Sequence, residues 1–187
     1  RRGRNLALIH IYSEQVMETS LGLFLLSAAA ISFTGVMFPG PMTAATIAKG
    51  YHDKNAGAWI AVGHAVVEIP LIVAIYFGFA YFIEFPQVVK GIYIAAGASA
   101  LDLTSRMFRT TGKMPDKIGG LPSSSLVTGI VITGTNPAFY IWWATIGIAL
   151  VTGAEKFGLV GLILFILVHW PCDLAWSEFL SAGTFHS

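Results

Sequence analysis

The chain is dominated by long apolar runs that contain few or no charged residues. A helix needs about 20 mostly apolar residues to cross the hydrocarbon core of a bilayer. Five windows approach or exceed this length, at residues 21–38, 56–83, 88–104, 125–151 and 157–176. The runs are much longer than strands and lack alternating polarity, which argues against a barrel. The predicted fold class is therefore an all-α, polytopic transmembrane helix bundle.

Composition supports a chain that is embedded in lipid. Of the 187 residues, 55% are hydrophobic and only 11% are charged, whereas soluble domains carry about 25% charged residues. The formal net charge is +1, so the chain has no basic field with which to hold nucleic acid. Membrane lipid is therefore a predicted partner and nucleic acid is not.

The beginning of the chain predicts an extension that lies outside the transmembrane domain. The sequence starts with Arg1 rather than Met, and Met17 stands shortly before the first span, as a natural start would. We therefore expect residues 1–16 to be non-native or upstream sequence. Residues 17–187 are expected to form one transmembrane domain.

Charged residues between the spans predict the orientation, because Lys and Arg near span ends prefer the cytoplasm. Six follow the first and third spans, namely Lys49, Lys54, Arg106, Arg109, Lys113 and Lys117. Only Lys90 and Lys156 follow the second and fourth spans. This asymmetry predicts that the N-terminus is outside, although Arg1, Arg2 and Arg4 argue for the opposite orientation.

Proline and glycine interruptions within the spans suggest an internal repeat. The interrupting residues, together with one asparagine, are Pro39, Gly40, Pro41, Asn136 and Pro137. Residues 34–41 align without gaps with residues 128–135, and many secondary transporters consist of inverted halves whose broken helices form the binding site. We therefore expect two inverted three-helix halves. The sixth helix is expected to be missing from this chain, because residues 177–187 are too few for another crossing.

Each interruption has a functional and a structural interpretation. Proline removes a backbone donor from a helix, and backbone groups freed at membrane depth need partners. A half-helix that begins near Met42 would point its positive end at an anion such as an amino-acid carboxylate, whereas the alternative is a simple kink or an interfacial loop. The side chain of Asn136 would either bind substrate or cap the broken helix.

Two histidine–carboxylate pairs lie within the predicted spans. His64 and Glu68 are one helical turn apart, and His169 and Asp173 have the same spacing. Ionisable residues inside a span are costly and mark proton or ion pathways, and histidine titrates near neutral pH. The four residues are therefore candidates for proton coupling, with Asp173 expected nearer a membrane surface because Glu178 follows it. The alternatives are two hydrogen-bonded pairs that only stabilise packing, or one four-ligand metal site.

Motifs that would indicate catalysis or a cofactor are absent from the sequence. It contains no Walker loop, Rossmann fingerprint, HExxH motif or nucleophile elbow. We therefore predict that the protein is not an enzyme and binds no cofactor. Transport driven by an ion gradient is the class of function that remains.

The motifs, taken in order, resemble those of the LysE/RhtB family of amino-acid exporters. They are Pro39-Gly40-Pro41 at the end of the first span, the glycine-spaced segment 50–63 and Asn136-Pro137-Ala138. The resemblance covers about residues 20–173 and implies a six-helix bundle of two inverted halves that exports amino acids or related small solutes in exchange for protons. It also implies that the prolines, glycine and asparagine of these motifs gate the substrate. Ala138 stands where such proteins often have Lys, which leaves the preferred substrate charge open.

The expected function is proton-coupled antiport of amino acids or related small solutes out of the cell, through a multi-pass protein of the plasma membrane. One alternative is an exporter of divalent or heavy-metal cations from the same superfamily. A second alternative is a membrane subunit that transports nothing itself. Whether the protein forms a homo-oligomer is left open by the sequence.

Overall fold

The computed structural model describes residues 21–79 and 121–185, together with the isolated positions 87, 90 and 94. All regular secondary structure in these residues is helical, which confirms the all-α fold class. The helices are α1 (Leu21–Val36), α2 (Pro41–Gly50), α3 (Ala56–Ala74), α4 (Ser125–Thr135), α5 (Pro137–Glu155) and α6 (Gly158–Phe185). Helix α3 continues into a π-helical turn at Ile75–Phe79, and α5 contains another at Trp143–Gly147.

Three helices in the described residues are long and apolar enough to cross a membrane. They are α3 with its continuation (Ala56–Gly78), α5 and α6. Helices α1 and α2 pass the same test only as a pair, and the pair is bent by 73°. The predicted spans at 21–38, 56–83 and 157–176 thus coincide with helices over most of their described residues, and the last of these helices continues to Phe185.

The region predicted as one span at 125–151 is divided in the structure. Asn136 has extended backbone angles, φ −90° and ψ 107°, and separates α4 from α5. Helix α4 has only 11 residues, so the stretch long enough to cross is α5. Hydropathy alone does not show this division because no charged residue marks it, but it lies at the interruption predicted from Asn136 and Pro137. The predicted span at 88–104, apart from two isolated positions, and the predicted extension at 1–16 lie outside the described residues.

Helix α3 lies between α4 and α6 and approaches both closely. A Cβ atom added to Gly63 would collide with the carbonyl of Leu126, and one added to Gly129 would collide with the carbonyl of Ile60. Gly57 makes an equally close approach to α6. Small residues allow such backbone contact between membrane helices, so side chains in the middle of α3 can reach both neighbours.

Candidate functional site

Four ionisable side chains meet where α3 and α6 pack together. They are His64, Glu68, His169 and Asp173, here called the His–carboxylate cluster. The Nε2 atoms of His64 and His169 lie 3.0 and 3.1 Å from the same oxygen, Oε1 of Glu68. The carboxylate of Asp173 is farther away, with Oδ1 3.8 Å from His64 Nε2 and Oδ2 3.9 Å from His169 Nε2. The two pairs predicted from the sequence therefore form one site.

Charge balance distinguishes this cluster from an ordinary packing contact. Its side chains are at most 8% exposed, and Glu68 Oε2 and Asp173 Oδ2 have no hydrogen-bond partner within the described residues. No Lys or Arg in that part of the chain pairs with either carboxylate. Among the described residues, only the two imidazoles can compensate the two carboxylates, and burying a negative charge without compensation is costly. The cluster can therefore approach neutrality by holding protons or another cation.

Asp173 is buried beside Glu68. Ligand atoms of the two residues lie within 4.8 Å of each other, and only 3% of Asp173 is exposed. Its position nearer a membrane surface stays a prediction from the sequence. Glu178, the residue on which that expectation was based, serves another purpose. Its Oε2 accepts a hydrogen bond of 2.9 Å from the backbone N–H of Ala58, near the beginning of α3. Glu178 thus accepts from the first turn of α3.

Each imidazole contacts a hydroxyl group through its other nitrogen. His64 Nδ1 lies 2.8 Å from Thr133 Oγ1 on α4, and His169 Nδ1 lies 2.7 Å from Ser32 Oγ on α1. Both hydroxyl-bearing residues are buried. These contacts turn the Nε2 atom of each ring toward the carboxylates, as outer partners do for functional histidines. The sequence analysis assigned no role to either residue, since the only signal is a small polar side chain in an apolar helix.

Aromatic rings shield the two imidazoles. Trp142 and Phe165 stack on His169, with ring centroids 5.8 and 5.4 Å from that of the imidazole. Phe139 presents its edge to His64 at 5.4 Å. The π-helical turn of α5 begins directly after Trp142, and such turns are frequent at functional sites. The rings give the cluster an apolar surrounding that strengthens its electrostatic interactions.

The first predicted break separates α1 from α2. Helix α1 ends at Val36, α2 begins with Pro41, and Gly40 is the N-cap residue. Because Gly40 has no side chain, no side-chain cap is present on the first turn of α2. Its backbone carbonyl accepts from Ala44 N at 3.0 Å. Pro39 is exposed. A helix start without a side-chain cap offers N–H groups to an anion.

The second predicted break is satisfied by its own residues. Asn136 Oδ1 accepts a hydrogen bond of 3.1 Å from Ala138 N, so the asparagine caps α5. Pro137 occupies the first turn, where its missing N–H costs nothing. The Tyr140 hydroxyl donates to the carbonyl of Gly134 at 3.0 Å. The sequence left two roles open for Asn136, substrate binding and capping of the broken helix. The hydrogen bond to Ala138 is a capping interaction.

Both breaks lie beside the His–carboxylate cluster. Thr133, which contacts His64, stands three residues before Asn136. Its hydroxyl is also 4.0 Å from the sulfur of Met42, in the first turn of α2. Phe139, in the first turn of α5, contacts His64 from the other side of the break. The structure thus brings the predicted gating residues and the predicted coupling residues into one region.

Three residues of the cluster have the spacing needed to hold a cation. Ligand atoms of His64, Glu68 and Asp173 all lie within 4.8 Å of one another. His169 lies outside this compact group, although its Nε2 is also 3.1 Å from Glu68 Oε1. Within the described residues, the compact donor group therefore has three members, and the four-ligand site stays an alternative from the sequence.

Comparison with known families gives one match. A family model described as LysE type translocator matches residues 33–185. The match includes both breaks and all four residues of the His–carboxylate cluster. No curated protein and no solved protein structure is significantly similar to the chain.

Proposed function

The chain belongs to the LysE type translocator family, and we propose that it is a secondary-active exporter of amino acids or related small solutes that is driven by protons. Its family is one of transporters rather than enzymes, and its long apolar helices make it a multi-pass membrane protein. The proposal adds a substrate class and a coupling ion to these facts.

The observation that carries the proposal is the charge balance of the His–carboxylate cluster. A proton-driven antiporter needs a buried site whose proton load changes during the transport cycle. Two imidazoles that face two buried carboxylates provide such a site, because histidine exchanges protons near neutral pH. Protons that enter this cluster from outside would be exchanged for substrate that leaves the cell.

The substrate class is supported by the start of α2. Its uncapped first turn follows Pro39, Gly40 and Pro41, and the positive end of a half-helix attracts a carboxylate. We assign the gating role to these residues and to Asn136 and Pro137. The capped second break would then hold its shape while the first accepts the substrate.

The arrangement in the membrane forms the third part of the proposal. The segments 21–79 and 121–185 each contribute one break and one His–carboxylate pair to the same site, as two inverted halves would. The positions of Lys and Arg favour a plasma-membrane orientation with the N-terminus outside. Antiport against protons that enter the cell moves the amino acid outward, which is export.

A divalent cation is the alternative cargo. The compact donor set of His64, Glu68 and Asp173 favours it, since imidazole and carboxylate are common ligands of transition metals. This alternative assigns the cluster to the cargo instead of to the coupling ion. It therefore predicts metal flux without amino-acid flux.

Efflux from proteoliposomes tests the proposal directly. Purified protein is reconstituted into vesicles that are loaded in parallel with each standard amino acid or with divalent metal ions. We expect at least one amino acid to leave faster when the exterior is more acidic than the lumen than at equal pH, and no such acceleration in protein-free vesicles. Metal efflux with no amino-acid efflux would establish the alternative cargo. Absence of all flux would contradict both, and would favour a subunit that needs a partner.

A further inference from the structure

Two buried hydroxyl groups connect the His–carboxylate cluster to the broken helices. We propose that Thr133 and Ser32 are positioning residues, which orient the two imidazoles and link the state of the cluster to the positions of α4 and α1. This inference rests on the proposed function. The contacts that carry it are the distances of 2.8 Å from Thr133 Oγ1 to His64 Nδ1 and 2.7 Å from Ser32 Oγ to His169 Nδ1.

The two contacts cross between the segments of the chain. His64 belongs to the first described segment and its hydroxyl partner to the second, whereas His169 belongs to the second and its partner to the first. Ser32 lies one turn before the end of α1, and Thr133 lies in the last turn of α4. A movement of either broken helix relative to α3 and α6 must therefore stretch one of these contacts.

The protonation of His64 determines how the hydroxyl of Thr133 is oriented. A hydroxyl both donates and accepts, whereas an imidazole nitrogen does one or the other according to where its proton sits. When Nδ1 of His64 carries a hydrogen, Thr133 must accept from it and turn its own hydrogen elsewhere. The sulfur of Met42, 4.0 Å away in the first turn of α2, is a weak acceptor within reach. A change in the protonation of the cluster thus alters a contact at the first break, between α1 and α2.

The surroundings of both rings are defined by the described helices. The titratable groups that face His64 are Glu68 on its own helix and Asp173 on α6. Those that face His169 are Glu68 and His64 on α3 and Asp173 on its own helix. The other polar contacts of the two rings within the described residues are the hydroxyls of Thr133 and of a serine on α1, and aromatic rings pack against both imidazoles. In this part of the chain, each hydroxyl is therefore the non-titrating polar partner of its imidazole.

A purely structural role makes a different prediction. Buried polar groups are generally hydrogen-bonded, and a hydroxyl that only satisfies an imidazole nitrogen would contribute to stability alone. Its removal would lower the yield and the thermal stability of the protein without altering how transport depends on pH. The readout that separates the two roles is therefore the pH profile of transport and the number of protons moved for each substrate.

Four substitutions and two matched controls test the inference in proteoliposomes. Thr133→Val and Ser32→Ala each remove one hydroxyl, Thr133→Ser retains it, and Glu68→Gln tests the proposed function itself. Thr135→Val and Ser27→Ala are the controls, because within the described residues these exposed hydroxyls bond to carbonyls of their own helices, Val131 O and Leu23 O. Substrate efflux and proton flux are measured together across a range of pH values.

We expect both hydroxyl-removing variants to lose about tenfold in proton-driven efflux, the effect of one functional hydrogen bond. The midpoint of their pH profile should move by about one unit, which corresponds to a tenfold change in an equilibrium. Thr133→Ser and the two controls should keep the wild-type profile. If Thr133→Val does not fold, Ser32→Ala decides, because it removes a single atom.

A wild-type pH profile and proton ratio in the folded hydroxyl-removing variants would overturn the inference. The result for Glu68→Gln then identifies what has failed. If that variant loses proton coupling, the proposed function stands and only the positioning role is wrong. If it keeps coupling, the proposed function is wrong as well.

Discussion

Glu68 is the centre of the candidate site at the scale of single residues. One of its oxygens lies within hydrogen-bonding distance of two imidazoles, while the other has no hydrogen-bond partner among the described residues. His64 and His169 are oriented by hydroxyl groups on their far sides. A carboxylate in this setting holds two proton-exchanging groups together. Its charge is therefore the feature on which the proposed mechanism depends.

Asn136 has a stabilising role that can be separated from substrate binding. Replacing Asn136 with Ala removes the cap of α5 and should lower the free energy of unfolding by about 1 kcal/mol, whereas Ser, another good cap, should retain most of it. Denaturant unfolding in detergent measures the difference. Equal losses for Ala and Ser would contradict capping. Normal stability with impaired substrate binding in Asn136→Ser would assign the side-chain amide to the substrate.

Helices show which features an apolar pattern can predict and which it cannot. The runs beginning near Leu21, Ala56 and Gly158 produced helices that begin at or next to the predicted starts, because apolar runs of this length in lipid must be helical. The last of these helices runs on to Phe185 instead of ending at residue 176. The division at Asn136 does not show in the hydropathy of the predicted span at 125–151, since both sides of it are apolar. The break was instead predicted from Asn136 and Pro137 themselves. The proline and glycine residues predicted a bend before Pro41. Its size, 73°, could not be predicted because it depends on how α2 packs.

The packing of helix α4 against helix α3 depends on glycine. Gly129→Ala should destabilise the protein by about 1–3 kcal/mol, the usual cost of overpacking, because the added methyl group meets the backbone of Ile60. Gly134→Ala on the same helix is the control, since nothing lies within 4 Å of its Cβ position. Thermal unfolding in detergent compares the two. Equal stability of both variants would mean that the helices can separate without loss.

At the scale of the molecule, the candidate site forms where the segments 21–79 and 121–185 pack against each other. The sequence predicted both His–carboxylate pairs from their spacing, and each pair lies on a helix as expected. It could not predict that His169 would reach Glu68, 101 residues away, because helix spacing contains no information about which helices pack together. Ser32 and Thr133 were missed for the same reason. Each of these two residues contacts a histidine that belongs to the other segment of the chain.

Coupled flux in Glu68→Gln tests the central claim that the His–carboxylate cluster links export to protons. The variant is compared with wild type and with Glu155→Gln, which removes an exposed carboxylate at the end of α5, in vesicles where amino-acid efflux and proton uptake are recorded together. The account predicts that Glu68→Gln reduces both proton-driven fluxes to the level of protein-free vesicles, while Glu155→Gln behaves as wild type. Undiminished, proton-coupled efflux in folded Glu68→Gln protein would contradict it.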